Sequence, residues 1–388
     1  MRIGIDISQI VYGTGVSRYT RNLFEVLLKI DRKNEYALFF SSLRKKILIS
    51  NFQFLNKSQI LNSKFQIRNF RFPPTLLDNI WNRLHILPIE KFIGPVDVFH
   101  SSDWVEPPAK CPKVTTIHDL SPLLFPKETH PRIVAVHKRK LEWVKKESRL
   151  IIAVSESTKK DIIKLLGIPE GRIRVIYEAC NTEFTKKPRE DTERIKKKYG
   201  IRGDYLLAFG GSPRKNLERV IQARVSLKRS DLVRGPTSLV IVGKQGLGES
   251  DLGGGKLDLG DKLKVLGYVG NEELAGLYSG ARCLVYPSLH EGFGLPILEA
   301  MTCGCPVVTS NISSMPEVAG KAAVLVNPLE VEDIGRGIKE AIEKREEIVK
   351  KGYQRVKLFS WEKCAKETLK VYEEAIGSSS DPKGRNQN

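Results

Sequence analysis

Long hydrophobic runs are missing from this 388-residue sequence, which contains no stretch of 18 or more apolar residues. A helix that crosses a bilayer needs about 20 such residues, so we expect no transmembrane helix. The N-terminal residues read as a strand and lack the charged and apolar regions of a signal peptide. The sequence therefore predicts a cytoplasmic protein.

Cysteines are few and scattered. Of the six, only Cys303 and Cys305 stand close together, and no second pair lies near them in the sequence. A structural zinc site usually draws its ligands from two such pairs, so we prefer a role in helix-to-strand packing for these two residues. All six are expected to be reduced thiols, as is usual in the cytoplasm.

Two common phosphate and metal motifs are also missing. The glycine-rich segment Gln245–Asp261 lacks the Gly-Lys-Ser/Thr ending of a P-loop, and we expect it to form a surface loop. No Asp-x-Asp motif stands at a predicted strand end. The sequence therefore predicts that no metal ion and no cofactor is required.

Acidic residues are in deficit, since 45 Asp and Glu face 64 Lys and Arg and leave a net charge of +19. Nucleic acid, an anionic membrane, or only a lysine-rich solvated surface would account for such a charge. Between Lys127 and Arg149, eight basic residues face three acidic ones and alternate with apolar residues. This pattern predicts a basic amphipathic helix, which either lies on anionic lipid or forms an ordinary surface. Basic residues interleaved with aromatics on one face are not found, so we expect no nucleic-acid partner.

Short apolar strands alternate with helical stretches along the whole sequence. In a chain too long for one core, this alternation predicts an α/β protein with two doubly wound domains. We place an N-terminal domain at 1–181, a connection at 182–203, a C-terminal domain at 204–358, a terminal helix at 359–376 and a disordered tail at 377–388. Within the second domain, Val331–Leu358 is expected to be helical.

The segment Ser288–Ser310 places Glu291 and Glu299 eight positions apart, between a predicted strand and a helix that starts near Pro296. The start of a helix offers unpaired N–H groups and a positive dipole to a phosphate. Two acids beside a phosphate would repel it unless they bind hydroxyl groups on either side. A nucleotide-sugar has that layout, with hydroxyls on the sugar and on the ribose and two phosphates between them.

We expect Glu291 on the loop before this helix and Glu299 in its first turn. The alternative for each is an acid that merely complements the helix dipole.

The same segment resembles the E-x7-E signature of retaining glycosyltransferases of the large GT-B family, known as family 4 or group 1. The likeness extends over Gly292, Phe293, Gly294 and Leu295 and over the Glu-Ala-Met-x-x-Gly-x-Pro-Val-Val pattern that starts at Glu299. It implies two Rossmann-like domains that face each other across a cleft, with the acceptor side in the first and the nucleotide-sugar site in the second. In similar proteins the terminal helix crosses back to the N-terminal domain.

The resemblance also implies roles for these residues. Glu291 would contact the transferred sugar, and Glu299 would accept hydrogen bonds from the ribose 2′- and 3′-hydroxyls. The turn from Gly292 to Leu295 would bind the donor.

Further motifs of this family follow predicted strands. Gly13 and Gly15 match the loop that approaches the donor diphosphate, although such a turn also serves conformation alone. His118 and Asp119 resemble the family's His-Asp motif, in which the histidine touches the donor sugar near the reacting face. Asp119 would orient His118, contact the acceptor or cap the next segment.

Two other turns carry candidates. Gly211 leads into Arg214 and Lys215, which resemble the family's Arg-Lys turn and suit a diphosphate leaving group; a solvated turn is the alternative. Ser155 begins a segment that resembles the family's acceptor-side motif, and it also stands at an expected helix N-cap.

The resemblance implies a metal-independent hexosyltransferase that retains the anomeric configuration by front-face attack. We expect His118, Arg214, Lys215 and Glu291 to act in catalysis. GDP-mannose is the first expectation for the donor and a UDP-sugar the alternative. A saccharide or lipid-linked saccharide is the expected acceptor, which would bring the enzyme to the inner membrane face. A nucleotide-sugar epimerase and a basic nucleic-acid- or membrane-binding protein without enzymatic activity are the rival interpretations.

Overall fold

The computed structural model describes residues 1–13, 15–47, 65–228, 237–243 and 263–377. The predicted loop Gln245–Asp261 and residues 378–388 of the predicted tail lie outside the described residues. The contacts within the chain define two compact units. The first comprises Met1–Glu178 and the C-terminal segment that starts at Trp361, and the second comprises Ala179–Ser360.

The first unit is built on a sheet of seven parallel strands in the order β3-β2-β1-β4-β5-β6-β7. Apolar runs such as Ala37–Phe40 form its central strands, because helices cover both faces of a parallel sheet. The strand order reverses between β1 and β4. The strands are β1 Arg2–Asp6, β2 Glu35–Ser41, β3 Phe65–Phe70, β4 Val98–Ser101, β5 Lys113–Ile117, β6 Ser148–Ala153 and β7 Ile173–Val175.

Helices of the first unit connect these strands and include the last helix of the chain. In that last helix, the Tyr372 hydroxyl lies 2.6 Å from Nδ1 of the buried His100 on β4. The Trp361 ring packs edge-on against Tyr19, with 5.8 Å between ring centroids. The α-helices are Gly15–Ile30, Pro74–Leu77, Glu90–Ile93, Ser121–Leu124, Pro131–Glu147, Glu156–Leu166 and Trp361–Gly377, with a π-helical turn at Asp78–Arg83.

The second unit contains a sheet of six parallel strands in the order β10-β9-β8-β11-β12-β13, with the reversal between β8 and β11. The strands are β8 Asp204–Phe209, β9 Thr237–Val242, β10 Leu263–Val265, β11 Leu284–Tyr286, β12 Val307–Ser310 and β13 Val324–Val326. The α-helices are Arg189–Lys198, Leu217–Ser226, Asn271–Gly280, Leu295–Thr302, Met315–Ala319, Val331–Glu343 and Arg345–Val356.

A glycine allows the helix Val331–Glu343 to approach this second sheet closely. A Cβ atom added to Gly337 would lie 2.5 Å from Cγ1 of Val326 and 2.9 Å from Cγ1 of Val308. Ile334 and Ile338 of the same helix are fully buried in the core that these strands form. The apolar stripe of the helix thus fixes it on the sheet face.

Two details differ from the sequence prediction. Strand β3 was not predicted, because this edge strand carries Gln66, Arg68 and Asn69 on a partly exposed surface and its sequence reads as polar. The stretch Val331–Leu358, which was expected to be helical, contains two helices that meet at Lys344. The Lys344 backbone lies outside the helical region, at φ −92° and ψ 24°. No proline or glycine stands there, so the sequence does not indicate the break.

No helix among the described residues has the length and apolar content needed to cross a bilayer.

Candidate active site

The candidate residues of the second unit meet at the carboxyl ends of β8 and β11, where the strand order reverses. Ligands of open α/β sheets bind at such reversals. Here the turn after β8 passes through Gly211, whose φ of +96° is left-handed and favours glycine. It continues into a short 3-10 turn, Pro213–Lys215, whose N-cap Ser212 accepts a hydrogen bond from the Arg214 N–H. This turn positions Arg214 and Lys215 beside the loop that follows β11.

Lys215 and Glu291 form an ion pair at this reversal. Nζ of Lys215 lies 2.7 Å from Oε1 of Glu291, and it donates to the Tyr286 hydroxyl at 2.6 Å. The ammonium also stands over the Tyr286 ring, 4.7 Å from its centroid. The two strand-end motifs, far apart in sequence, thus form one polar cluster.

The pKa of the Glu291 carboxyl is held below its usual range. Burial alone would raise it, but the charge and hydrogen bond of Lys215 outweigh burial, and the Tyr286 hydroxyl adds to the effect. Glu291 is therefore a carboxylate at neutral pH.

Ser313 and Ser314 hold the loop that carries Glu291. The Ser313 hydroxyl donates to the Glu291 carbonyl at 2.9 Å and accepts from the Glu291 N–H at 3.2 Å. The Ser314 hydroxyl lies 3.0 Å from the Glu291 carbonyl and 2.9 Å from that of Phe293. Sequence reasoning missed both serines, because they lie more than 20 residues from the loop and carry no motif.

Glu299 lies elsewhere in its helix than predicted. The helix spans Leu295–Thr302 after Gly294, which takes a left-handed φ of +99°, and no acid stands in its first turn. The prediction of a first-turn position for Glu299 is wrong, because the helix begins at Leu295 and Glu299 is its fifth residue. A dipole interaction falls off within the first turn, so it explains little of the position of Glu299.

The Glu299 carboxylate is buried at 3% exposure and accepts a hydrogen bond from the Tyr278 hydroxyl at 2.9 Å. The turn before it is equally well packed, since Gly292 and Phe293 are buried and the Phe293 ring packs edge-on against Phe359. The donor-binding candidates from Glu291 to Glu299 therefore form one packed segment.

In the first unit, His118 follows β5 and is held by a residue that sequence reasoning missed. Its Nδ1 lies 2.9 Å from Oε1 of the buried Glu178, and the Tyr19 ring packs edge-on at 4.6 Å between centroids. Burial lowers the pKa of His118, but the hydrogen bond and charge of Glu178, with Asp103 and Asp119, outweigh it and raise the pKa overall. One signal was present: Glu178 follows the apolar residues at the end of β7, Ile173–Val175.

Asp119 and Ser155 serve as caps. Oδ1 of Asp119 accepts from the N–H of Ser121, which begins the helix Ser121–Leu124, at 3.0 Å. Oγ of the fully buried Ser155 is the N-cap of the helix Glu156–Leu166 and accepts from the Thr158 N–H at 2.9 Å. Glu178 contacts the His118 ring directly.

Gly13 and Gly15 lie close to the start of the first helix. Gly13 has a left-handed φ of +71°, and Gly15 begins the helix Gly15–Ile30. A Cβ atom added to either glycine would meet no atom of the described residues within 4 Å. The backbone of this turn is therefore not enclosed by neighbouring side chains of the described residues.

In the part of the chain that the structure describes, no group of three or more His, Cys, Asp or Glu side chains converges in a way that would hold a metal ion.

Two family profiles divide the chain between them. Residues 13–184 match the profile described as Glycosyltransferase Family 4, and residues 191–355 match that of Glycosyl transferases group 1. The O-antigen chain mannosyltransferase B of Escherichia coli is 35% identical over 284 residues, which is 71% of this chain and 74% of that protein. The chain belongs to the family 4, or group 1, glycosyltransferases. The predicted family and the prediction of an enzyme are confirmed, and the non-enzyme alternative is excluded.

Solved structures of glycosyltransferases share the fold. Sucrose-phosphate synthase from Thermosynechococcus elongatus superposes with a TM-score of 0.71 at 18% identity, covering 97% of this chain and all of that one (100%). Anabaena HepE in complex with UDP and glucose gives a TM-score of 0.68 at 16% identity, with 96% and 100% covered. At these identities the likeness establishes the fold alone. It confirms the predicted α/β class, GT-B, with two Rossmann-like sheets.

Proposed function

We propose that this glycosyltransferase moves a mannosyl group from GDP-mannose to a saccharide or lipid-linked saccharide and retains the anomeric configuration. The observation that carries the proposal is the Lys215–Glu291 pair at the reversal of the second sheet, 2.7 Å apart. In this proposal, Lys215 would bind the leaving diphosphate and Glu291 the sugar hydroxyls. The 35% identity to an O-antigen chain mannosyltransferase supports mannose as the sugar.

The negative charge that builds on the leaving diphosphate needs fixed positive partners. Arg214 offers planar bidentate hydrogen bonds and Lys215 a compact charge, and the N–H groups at the start of Leu295–Thr302 add the positive end of a helix dipole. These groups supply positive charge without a metal ion, and we propose a metal-independent reaction. Full activity in excess EDTA would support this part, and a requirement for added Mg²⁺ or Mn²⁺ would contradict it.

The sugar and ribose would be held by the two acids. Glu291, ionised beside Lys215, would accept hydrogen bonds from sugar hydroxyls, and Glu299, fixed by Tyr278, from the ribose hydroxyls. His118, oriented by Glu178, would contact the transferred sugar.

Retention would proceed by front-face attack, in which the leaving phosphate accepts the proton of the acceptor hydroxyl. A double displacement would instead require a carboxylate nucleophile and a covalent glycosyl-enzyme. Intact-protein mass spectrometry of Glu291→Gln with donor tests this step. A mannosyl adduct on any carboxylate would rule out front-face transfer.

The donor proposal is tested by thermal stabilisation of the protein with nucleotides in the absence of metal. GDP and GDP-mannose should raise the melting temperature more than UDP, ADP or CDP do, because a ligand stabilises the state that binds it. Arg214→Ala should abolish the shift. Lys350→Ala, which removes an exposed cation of the same unit, is the matched control and should keep it. A GDP shift that survives Arg214→Ala would contradict the site.

A UDP-sugar is the second candidate donor, because HepE, which shares the fold, was solved with UDP and glucose. Selective stabilisation by UDP in the same experiment would replace the GDP proposal.

We also propose that the enzyme works at the inner membrane face. The helix Pro131–Glu147 exposes Arg132, Lys138, Lys145 and Lys146, which suit anionic headgroups. The helix is less uniformly basic at its surface than predicted, because Lys140 is buried and Arg139 is paired with Asp78 at 2.6 Å.

Exposed aliphatic side chains accompany this basic helix. Leu84, Ile86 and Leu87 are 65%, 49% and 46% exposed. The His85 ring between them stacks on Trp143 of the helix, 3.5 Å between centroids, and its Nε2 lies 2.8 Å from Glu147. His85 is thereby tied to the helix, and a basic surface next to exposed aliphatic groups fits a lipid interface.

A further inference from the structure

A chain of hydrogen bonds links four buried side chains of the first unit. The Tyr372 hydroxyl lies 2.6 Å from Nδ1 of His100, and Nε2 of His100 lies 2.8 Å from Oγ1 of Thr116. That oxygen lies 3.2 Å from the Tyr19 hydroxyl. The four side chains come from the last helix, β4, β5 and the first helix, and each is at most 4% exposed. The chain is therefore shielded from bulk water.

His100 connects the two ends of this chain because it is uncharged. Burial, with the charges of His118 and Lys140, lowers the pKa of His100 to about 3. A neutral imidazole donates a hydrogen bond at one ring nitrogen and accepts one at the other, so the bonds form a continuous series in either direction. A satisfied buried network of this kind holds its members in one arrangement.

The tyrosine at the end of the chain packs on His118. The Tyr19 and His118 rings meet edge-on, with 4.6 Å between their centroids and 81° between their planes. Thr116 holds Tyr19 at its hydroxyl, and Trp361 packs edge-on against the Tyr19 ring. Tyr19 is thus held at both its hydroxyl and its ring, and it presents a fixed surface to His118.

The plane of the His118 ring needs such a surface. Glu178 holds Nδ1 at 2.9 Å. The χ2 torsion that sets the plane of a histidine ring has a broad energy well, however, and a hydrogen bond tolerates a range of angles. A cavity of about 30 Å³, large enough for a water molecule, adjoins both His118 and Tyr19, so close packing does not enclose the ring on every side. The contact with Tyr19 supplies a second constraint on the plane.

We propose that Tyr19 is a positioning residue for His118: held through Thr116 and His100, it fixes the ring plane in which Nε2 of His118 faces the transferred sugar. The proposal rests on the proposed function, in which His118 contacts that sugar and Glu178 occupies Nδ1. It adds an uncharged residue to the site, because burial raises the pKa of the Tyr19 hydroxyl. Tyr19 acts on the sugar only through the imidazole that it holds.

The affinity of the full-length protein for GDP-mannose relative to GDP tests this role, because only GDP-mannose carries the sugar. Calorimetric titrations measure both affinities. Tyr19→Leu should lower the affinity for GDP-mannose by about fivefold, the effect of one lost hydrogen bond, and leave that for GDP unchanged. Tyr19→Phe keeps the ring and removes the hydroxyl, so its effect should lie between those of the wild type and Tyr19→Leu. If the nucleotide test selects UDP, UDP-glucose and UDP take the place of this pair.

A spectroscopic measurement separates positioning from folding. In protein labelled with ¹⁵N-histidine, the ring signals of His118 are identified by their absence in His118→Asn. Thr116→Val removes the hydroxyl between His100 and Tyr19 and leaves both rings in the chain. It should shift the His118 ring signals and lower the affinity for GDP-mannose relative to GDP.

Tyr36 provides the matched control. It is a tyrosine of the same unit with the same 3% exposure as Tyr19, and its hydroxyl donates to Oδ2 of Asp31 at 2.6 Å. Tyr36→Leu should lower the melting temperature about as much as Tyr19→Leu does and leave the affinity ratio and the His118 signals unchanged. The proposal is overturned if Tyr19→Leu and Thr116→Val keep the wild-type ratio, or if Tyr36→Leu lowers it equally. Failure of the proposed function would appear instead as the absence of nucleotide binding by the wild-type protein.

Discussion

At the residue scale, the contacts of single side chains decide which candidates carry charge. Lys215 touches both Glu291 and Tyr286, and Glu178 holds His118. In each pair a mostly buried ionisable group lies within hydrogen-bond distance of a partner that can carry the opposite charge. Removing the partner leaves the other group buried and uncompensated, which costs more than the contact contributed.

Lys215→Met should lower kcat/KM by roughly 10²–10³-fold, as expected for the loss of one preorganised charge at the leaving group. Lys215 lowers the pKa of Glu291 in the folded protein. The free energy of unfolding that this pair contributes is therefore present at pH values above the pKa of an unfolded-state glutamate, about 4.3. It is lost as the pH falls through the lower pKa of Glu291 in the folded protein. In Lys215→Met, acid unfolding should therefore begin at higher pH. Circular dichroism between pH 7 and pH 3 measures this, with Tyr286→Phe as the milder control; unchanged acid unfolding would contradict the pairing.

Glu178→Ala should cost about 1–3 kcal/mol of unfolding free energy, because it leaves a buried imidazole without its acceptor, and Glu178→Gln should cost less. The pKa of His118 is raised, so its share of stability is complete below the unfolded pKa of about 6.5 and is lost as the pH rises through the folded pKa. The loss of unfolding free energy in Glu178→Ala should thus be smaller at pH 9 than at pH 6. Urea titrations at both pH values measure this loss. A loss of unfolding free energy that grows with pH would contradict the Glu178–His118 pairing.

At the element scale, short loops and helix ends set the geometry that the motifs need. The loop after β11 is tied to Ser313 and Ser314, the first of which takes a left-handed φ of +57°. A non-glycine residue in that region is uncommon and costs energy. The surrounding hydrogen bonds over-determine the conformation, so the loop is held before any ligand arrives.

Ser314→Ala should cost about 1–3 kcal/mol and raise the KM for the donor more than it lowers kcat, since it removes a fully buried hydroxyl from the Glu291 and Phe293 carbonyls. Thr302→Ala is the matched control, because the Thr302 hydroxyl bonds only to Leu298 of its own helix among the described contacts. Steady-state kinetics separate the two. Equal effects of both variants on KM would argue against a role of Ser314 in holding the loop.

The loop that follows Asp78–Arg83 permits a test of membrane binding. Changing Leu84, Ile86 and Leu87 together to serine should weaken binding to vesicles that contain phosphatidylglycerol at least several-fold, with little effect on stability, because these side chains are exposed. Leu329→Ser with Leu358→Ser, at exposed sites of 61% and 57%, is the control. Vesicle sedimentation measures this binding. Equal binding of the two variants would contradict the proposed lipid interface.

At the scale of the whole molecule, the chain is divided into two units that do not follow sequence order. The last helix, Trp361–Gly377, belongs to the first unit although 182 residues of the second unit, Ala179–Ser360, precede it. Its Trp361 and Tyr372 side chains contact Tyr19 and His100 of that unit.

Deleting the chain beyond Ser360 should therefore destabilise the first unit selectively. The deletion uncovers the helix Gly15–Ile30 and leaves the buried His100 without Tyr372. Hydrogen exchange should lose protection in β1, β4 and that helix, while β8 and β12 keep theirs. Uniform loss across both units would contradict selective destabilisation.

The sequence by itself determined the two parallel α/β sheets, the family and the segments that carry the site. Alternating apolar runs and local turn chemistry are encoded in neighbouring residues, so Gly211, Gly294 and the strand ends were identified without coordinates. Only the tertiary structure decided which side chains meet. Glu178, Ser313 and Ser314 act through contacts between residues distant in sequence, and no local pattern records them. Edge strand β3 stayed hidden because its exposed positions are polar, and the break at Lys344 because no proline or glycine marks it.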